Sequence, residues 1–203
     1  MFICYEGIAG GGKTTQAKML ADYLSKVKKR EVFVNAVYEG TRRKLVSDFM
    51  NESGIKSDQN AVMFLFQALH AIQYQEVRQA LDLGKTVIAD RWRHSFFAHH
   101  LYQNTFDGNE KLMQELDILA YRTLEPDILF LIDIPAEVAY DRYIQRESDA
   151  GDNGLEVMSL EYFTSVTKYY KQLAEDKDYQ IVDGTADPEA VFQEIKKVID
   201  KEL

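Results

Sequence analysis

The sequence predicts an α/β protein with a central five-stranded parallel sheet and helices packed on both faces. Five short apolar segments alternate with segments whose apolar residues recur at helical spacing, and such alternation is typical of a parallel sheet. The chain has 203 residues and a hydrophobic fraction of 46%, which is enough for one well-buried core. We therefore expect a single domain over residues 1–203, with ligands at the carboxyl ends of the strands.

The first half of the chain contains three of the predicted strands and three helices. Residues of the first helix from Ala17 to Val27 place apolar side chains on one face, and the longest helix has an apolar stripe that includes Phe66 and Ile72. Asp58 can cap that helix and Gly84 can end it. In order we predict a strand at 1–6, a helix from near 13 to 27, a strand at 31–38, a short helix from 40 to 54, a long helix from 58 to 84 and a strand at 86–89.

The second half continues the alternation with two more strands. The segment 128–134 is the most continuously apolar in the chain, which favours a buried strand. The polar, glycine-containing stretch 147–154 is typical of a surface loop. We predict helices near 95–103 and 109–124, the strand at 128–134, a helix through Arg142 and Arg146, a helix at 160–175, a strand at 179–182 and a terminal helix that begins at 187–188.

Composition excludes several classes of protein. A net charge of -9 and a pI near 5.0 argue against a duplex-binding protein, because phosphate contacts need a basic surface. No apolar run approaches the roughly 20 residues that span a bilayer, and the N-terminus does not resemble a signal peptide. The one cysteine, Cys4, is expected to be a buried thiol in a reducing compartment. We therefore expect a cytoplasmic protein with no membrane or nucleic-acid partner.

The segment Gly7-Ile8-Ala9-Gly10-Gly11-Gly12-Lys13-Thr14 fits the phosphate-binding pattern Gly-x-x-x-x-Gly-Lys-Ser/Thr between a strand and a helix. Its glycines let backbone N–H groups surround an anion, and the helix adds the positive end of its dipole. The alternative is a plain glycine turn. We assign the phosphates of a bound nucleotide to Gly7, Gly10, Gly11, Gly12, Lys13, Thr14 and Thr15.

Asp90 and Arg91 follow another predicted strand and extend this chemistry. Asp90 and the Thr14 hydroxyl are suitable ligands for Mg²⁺, while Arg91 can bind a phosphate in forked geometry. An exposed ion pair at the strand end is the alternative interpretation. Because the glycine loop, Asp90-Arg91 and Asp183 all follow strands, they should meet at one edge of the sheet.

Several motifs resemble the thymidylate kinase family. They are Phe2-Ile3-Cys4-Tyr5-Glu6-Gly7, Lys13-Thr14-Thr15-Gln16-Ala17, and Asp90-Arg91-Trp92 with Ser95 and Ala98; residues 129–138 and 181–184 are similar as well. The likeness extends over nearly the whole chain. It implies a three-layer P-loop kinase fold with a helical lid at about 142–158, and a homodimer. The implied reaction is the Mg²⁺-dependent transfer of the γ-phosphoryl group of ATP to a nucleoside monophosphate, dTMP in the family.

The resemblance also implies roles for individual residues. Arg142 and Arg146 lie four residues apart and resemble lid arginines that act with Lys13 and Arg91 in catalysis; two solvated charges are the alternative. Phe66 would stack on the acceptor base, unless it simply packs in the core. The implied acceptor-binding residues are Glu39, Arg42, Phe66, His70, Arg91 and His99.

The chain also departs from the family pattern. Ala9 occupies a loop position that is usually acidic, His70 replaces a thymine-reading arginine, and residues 147–167 contain no basic residue. These departures leave two other hypotheses open: a deoxynucleoside (thymidine) kinase, and a nucleotide-binding module without transfer activity. A metal site at His94, His99 and His100 is disfavoured, because no cysteine or acidic ligand is spaced with them.

Overall fold

A computed structural model describes residues 1–36, 40–54, 58–102, 109–150, 158–176 and 179–203. Its five strands form one parallel sheet, as predicted, and their order is β2-β3-β1-β4-β5. The strands are β1 (Phe2–Glu6), β2 (Val32–Asn35), β3 (Thr86–Asp90), β4 (Ile128–Asp133) and β5 (Tyr179–Asp183). The helices are α1 (Lys13–Lys26), α2 (Gly40–Ser53), α3 (Gln59–Asp82), α4 (Arg93–Tyr102), α5 (Glu110–Tyr121), α6 (Ala136–Ala150), α7 (Leu160–Asp176) and α8 (Pro188–Glu202).

The central strand β1 determines how the layers meet. It pairs with β3 on one side and with β4 on the other, and all five of its residues are buried. Ile3 and Tyr5 pack in the core beneath α1 and α8, whereas Phe2 and Cys4 pack on the opposite face with residues of α3 and α5. Because both faces are covered, β1 is apolar at successive positions rather than at alternate ones.

A third cluster joins helices α6 and α7 to the sheet. Leu131 of β4 packs there with Tyr143 of α6, and with Phe163 and Tyr170 of α7. The strand order also reverses at β1, since the chain crosses from β3 over β1 to β4. In open parallel sheets the crevice at such a reversal receives ligands at the carboxyl ends of the strands.

The structure corrects the predicted facing of two apolar side chains. Ile72 is 44% exposed, while Gln67, His70 and Gln73 of the same helix are buried. The inward face of α3 therefore includes polar residues, which apolar periodicity does not detect. Val27 is 63% exposed because α1 ends one residue before it.

The predicted loop at 147–154 is partly wrong. Helix α6 continues to Ala150, so the first four residues of that stretch are helical. Residues 151–157, which belong to the predicted lid, lie outside the described residues. So do residues 37–39, which include the last two positions of the predicted second strand. No helix in the described ranges is long and apolar enough to cross a membrane.

Two predicted helix starts are confirmed in atomic detail. The Asp58 carboxylate accepts hydrogen bonds from the backbone N–H groups of Asn60 and Ala61. Asp187 does the same for Glu189 and Ala190, with Pro188 in the first turn of α8. Each cap satisfies donors that have no partner within the helix.

We expect Asp187→Ala to lower the free energy of unfolding by about 1 kcal/mol, because two N–H groups of α8 lose their acceptor. Urea unfolding followed by circular dichroism measures this change. Asp187→Asn is the control, since asparagine also caps helices, and it should stay close to the wild type. Equal stability of the Ala and Asn variants would contradict the capping role.

Candidate active site

The glycine loop is seated by backbone contacts that exclude a side chain. Gly7 has a φ of 130°, and a Cβ atom there would lie 2.6 Å from the carbonyl oxygen of Ile132 in β4. Gly10 has a φ of 80°, and a Cβ atom there would lie 2.4 Å from the carbonyl oxygen of Ala139 in α6. Glycine is therefore required at both positions, and the loop is packed directly on β4 and on the first turn of α6.

The loop delivers the N-terminus of α1 to the carboxyl edge of the sheet. Gly12 precedes this helix in the left-handed conformation, with a φ of 93°, and supplies no side-chain cap. The first-turn residues Lys13, Thr14 and Thr15 thus present N–H groups that can donate hydrogen bonds to an anion. This end of the helix also carries the positive end of the dipole.

The side chain of Lys13, the first residue of α1, folds back into the glycine loop. This side chain is buried, and Nζ donates a hydrogen bond of 2.6 Å to the carbonyl oxygen of Ile8. Burial, together with the positive charge of Arg91, lowers the pKa of Lys13 to about 7, although Asp90 and Glu6 oppose this shift. A phosphate in the loop would supply the negative charge that favours the protonated amine.

Thr14 and Asp90 meet across the site. The hydroxyl of Thr14 donates a short hydrogen bond to Oδ2 of Asp90, so the two oxygens are adjacent. A hydroxyl and a carboxylate are the ligands that Mg²⁺ uses beside phosphate oxygens and water, and the pair fits such an ion. Within the described ranges, no group of three or more His, Cys, Asp or Glu residues could hold a metal.

Arg91 places a second cation against the loop. Its Nη1 donates to the carbonyl oxygen of Gly7 and to the hydroxyl of Ser95, each at 3.1 Å. The backbone of Arg91 is left-handed, with a φ of 76°. The structure therefore brings Lys13, Thr14, Asp90 and Arg91 together around Gly7, at the edge where the sequence predicts convergence.

A buried carboxylate that sequence reasoning assigned no role connects these parts. Oε1 of Glu6 accepts hydrogen bonds from the N–H groups of Trp92 and Ser95 at 2.9 and 3.2 Å. Oε2 accepts from the hydroxyls of Ser95 and Tyr170 at 2.7 and 3.0 Å. Burial raises the pKa of Glu6, an effect that these hydrogen bonds and Arg91 counteract. Glu6 is visible in sequence as the acid before Gly7, whereas nothing local marks Tyr170 as its partner.

Two histidines among the predicted acceptor-binding residues are neutral. His70 is buried, lies 3.0 Å through Nδ1 from Oε1 of Gln67, and stacks on Tyr121 with ring centres 5.1 Å apart. Burial lowers its pKa to about 3. His99 lies 3.0 Å through Nδ1 from the hydroxyl of Tyr162. Burial, and then the charge of Arg91, lowers its pKa to about 4.

The other acceptor-binding candidates have different surroundings. Phe66 is half-buried on α3. Arg42 of α2 forms a two-pronged ion pair with Glu76 of α3, with nitrogen–oxygen distances of 2.6 and 3.3 Å. Asn35 donates to the same carboxylate at 2.9 Å. Arg42 therefore joins α2 to α3 in this structure, while Glu39 lies outside the described residues.

The two arginines predicted to belong to the lid lie beside the glycine loop on α6. Nη1 of Arg142 donates to the carbonyl oxygen of Gly184 at 3.1 Å, in the turn after β5. A Cβ atom on Gly184 would lie 3.1 Å from the carbonyl oxygen of Gly11, so this turn borders the glycine loop. The guanidinium of Arg146 lies over the ring of Tyr143, and its charge contributes to the lowered pKa of Lys13.

A parallel sheet with a phosphate-binding glycine loop, a buried loop lysine and an adjacent Thr–Asp pair is typical of P-loop nucleotide-binding proteins, a class that includes the nucleotide kinases. A family model described as thymidylate kinase matches residues 5–195. The chain belongs to the thymidylate kinase family.

Full-length relatives carry the same family name. The chain is 32% identical over 210 residues to a thymidylate kinase of Thermosipho melanesiensis, covering 100% of this chain and 99% of that protein. It is 34% identical over 213 residues to a thymidylate kinase of Fervidobacterium nodosum, with 100% of both chains covered. A thymidylate kinase of Prochlorococcus marinus is 30% identical over 208 residues, covering 98% of this chain and 96% of that one.

We expect ATP binding at pH 8 to take up close to one proton. Lys13 has a pKa of about 7 in the free protein and is mostly neutral at pH 8, and the bound phosphates raise that pKa. The phosphates of ATP are already ionised at this pH, because their last pKa is about 6. Calorimetry with ATP and Mg²⁺ in buffers of different ionisation enthalpy measures the uptake.

Lys13→Arg is the control for this measurement, because arginine stays charged throughout the range. That variant should bind ATP with little proton uptake. The same uptake in both proteins, or none in the wild type, would contradict a depressed pKa at Lys13.

Proposed function

We propose that this chain, acting as one domain in the cytoplasm, transfers the γ-phosphoryl group of ATP to dTMP and releases ADP and dTDP. Membership of the thymidylate kinase family over the whole length supports this activity. The observation that carries the proposal is the position of Arg91, whose guanidinium lies 3.1 Å from the carbonyl oxygen of Gly7. A phosphate-binding cation next to the donor loop suits an acceptor that already bears a phosphate.

On the donor side, the loop and the N-terminus of α1 would hold the phosphates of ATP, with Lys13 on the outer ones. Mg²⁺ held by the oxygens of Thr14 and Asp90 would neutralise phosphate charge. An oxygen of the acceptor phosphate forms a bond to the γ-phosphorus, while the bond from that phosphorus to the β,γ-bridging oxygen breaks. Most of the catalysis is therefore positioning and charge neutralisation.

On the acceptor side, Arg91 would bind the 5′-phosphate and Phe66 would stack on the base. His70 and His99 are neutral, so they would recognise the acceptor through hydrogen bonds rather than charge. Arg42 and Glu39 complete the proposed acceptor set. Because Arg42 is paired with Glu76, its first contribution would be to fix α2 against α3.

During transfer, Arg142 and Arg146 would neutralise charge on the moving phosphoryl group when the lid segment at 142–158 closes. Their position on α6, whose first turn contacts Gly10, supports this role. Ala9 offers no acidic group toward the acceptor. The proposed catalytic set is accordingly cationic, and consists of Lys13, Arg91, Arg142 and Arg146.

We expect the wild-type protein, with ATP and Mg²⁺, to convert dTMP to dTDP and to leave thymidine unphosphorylated. The assay is a panel of ribo- and deoxynucleoside monophosphates with thymidine, read by chromatography of the products. Lys13→Ala should abolish both ATP binding and transfer. Lys18→Ala is the matched control, because it removes an exposed lysine from the same helix and should leave both intact.

Each other result of this panel has a definite meaning. If no monophosphate yields a diphosphate, the proposed function is wrong. Phosphorylation of thymidine but not of dTMP would identify a nucleoside kinase. Tight ATP binding without turnover of any acceptor would identify a binding module that has lost transfer activity.

We further propose that the protein is a homodimer that pairs through α3. Phe64 and Ile72 of this helix are 60% and 44% exposed, and together with the exposed Ala68 they share one helical face. Neighbouring helix α2 exposes Leu45 and Phe49 as well. Large apolar side chains that line one exposed face of a helix are typical of a protein interface.

We expect sedimentation to give twice the chain mass of 23.4 kDa for the wild type, and the single-chain mass for Phe64→Glu. A charge at the centre of an apolar interface is strongly unfavourable, whereas the folded chain already exposes this position. Val27→Glu, at an exposed apolar residue after α1 on the other side of the sheet, is the control. A monomeric wild type, or a dimeric Phe64→Glu, would overturn this interface.

A further inference from the structure

Arg91 has a backbone conformation that a residue with a side chain adopts at a cost. Its φ is 76°, in the left-handed region, and it joins β3 to α4. Three hydrogen bonds fix its two peptide groups, and one of them runs from the N–H of Trp92 to Oε1 of Glu6 at 2.9 Å. The N–H of Arg91 donates to the carbonyl oxygen of Tyr5 at 2.9 Å, and its carbonyl oxygen accepts from Nε2 of Gln73 at 2.9 Å.

The bonds on the two sides of Arg91 differ in what they control. The N–H bond to Tyr5 continues the pairing of β3 with β1, so it is made whatever the following turn does. The direction of the carbonyl group, by contrast, changes with ψ of Arg91. The peptide group after Arg91 is held from both ends, by Gln73 at its carbonyl oxygen and by Glu6 at the N–H of Trp92. Together with the bond to Tyr5 on the preceding peptide group, these contacts set φ and ψ of Arg91 and so the direction of its side chain.

Gln73 makes this contact from within the core. Its side chain is fully buried on α3, where polar residues are rare unless they are hydrogen-bonded. The hydroxyl of Tyr121 donates to Oε1 of Gln73 at 2.9 Å, which leaves Nε2 facing Arg91. Tyr121 is itself held between two rings, with centres 5.1 Å from His70 and 4.4 Å from Trp92.

The side chain of Arg91 has capacity for a ligand. Among its contacts with the described residues, only Nη1 is engaged, with Gly7 and Ser95. The remaining donors of the guanidinium are available for a phosphate, and a forked contact depends on the direction of the planar group.

We propose that Gln73, oriented by the Tyr121 hydroxyl, is a positioning residue that holds Arg91 in the conformation required to bind the acceptor phosphate. This inference rests on the proposed function, since it assigns the acceptor phosphate to Arg91. Neither Gln73 nor Tyr121 touches the reacting groups. They act through the carbonyl group of Arg91, Gln73 from α3 and Tyr121 from the end of α5.

The test compares Gln73→Met and Tyr121→Phe with the wild type, by steady-state kinetics with dTMP and ATP and by calorimetry with dTMP alone. Gln73→Met keeps the volume but removes the donor, so KM and Kd for dTMP should rise about tenfold or more. Tyr121→Phe keeps the packing but removes the hydrogen bond that orients the Gln73 amide, so KM and Kd for dTMP should rise by a smaller factor. KM for ATP should stay within about twofold in both variants.

Gln16→Met provides a matched control for the loss of a buried amide. Gln16 of α1 is also buried, and its Nε2 donates to the carbonyl oxygen of Pro188 at 2.9 Å, the same bond at the same distance. This variant should lose thermal stability to a similar extent, while KM for dTMP stays unchanged.

Gln73→Glu gives a readout that a purely structural role does not move. A protonated carboxyl group can donate to the carbonyl oxygen of Arg91, whereas a carboxylate cannot. Burial raises the pKa of an introduced glutamate. The ratio of KM for dTMP between this variant and the wild type should therefore fall as the pH is lowered from 8 to 6.

The outcomes separate the inference from the function on which it rests. If the wild type turns over dTMP and Gln73→Met leaves KM for dTMP unchanged, the positioning role is wrong and the proposed function stands. A parallel rise in KM for ATP, or a flat pH ratio for Gln73→Glu, also overturns the positioning role. If the wild type turns over no monophosphate, both are overturned.

Discussion

The buried carboxylate of Glu6 is the contact on which the geometry of the site depends. It ends the central strand, so its position is fixed by the sheet, and its two oxygens bind Trp92, Ser95 and Tyr170. Through these bonds the strand before the glycine loop, the turn that carries Arg91 and helix α7 are held together. A buried carboxylate needs such partners, because an unpaired charge in the interior is strongly unfavourable.

Charge in the site is arranged for a ligand rather than for the protein alone. Lys13 and Arg91 repel each other across the loop, and burial of Lys13 adds to the cost, as its lowered pKa indicates. Asp90 and Glu6 offset part of this repulsion. The left-handed backbone of Arg91 stores further unfavourable energy at the same edge, whereas the glycines adopt positive φ without strain. Preorganised sites of this kind carry their strain before the ligand arrives.

Local patterns in the sequence predict the fold and the donor half of the site, because both depend on residues that are close together in the chain. The five strands follow from apolar runs, and the glycine loop follows from eight consecutive residues. The inward face of α3 was not predictable in this way. Gln73 is buried because Tyr121 and Arg91 satisfy its amide, and these partners are distant in sequence. Tyr170 likewise donates a hydrogen bond to Glu6, which lies 164 positions earlier in the chain. The end of α6 was missed because its polar residues resemble a loop.

The contact between Gly10 and Ala139 has a kinematic consequence. The two backbones touch with no space for a methyl group, so the glycine loop and the first turn of α6 behave as one mechanical unit. Arg142 and Arg146 follow this contact along the same helix. A rotation of the whole helix would therefore carry the loop and distort the phosphate cradle. Any displacement of these arginines that leaves the loop in place requires α6 to bend beyond Ala139.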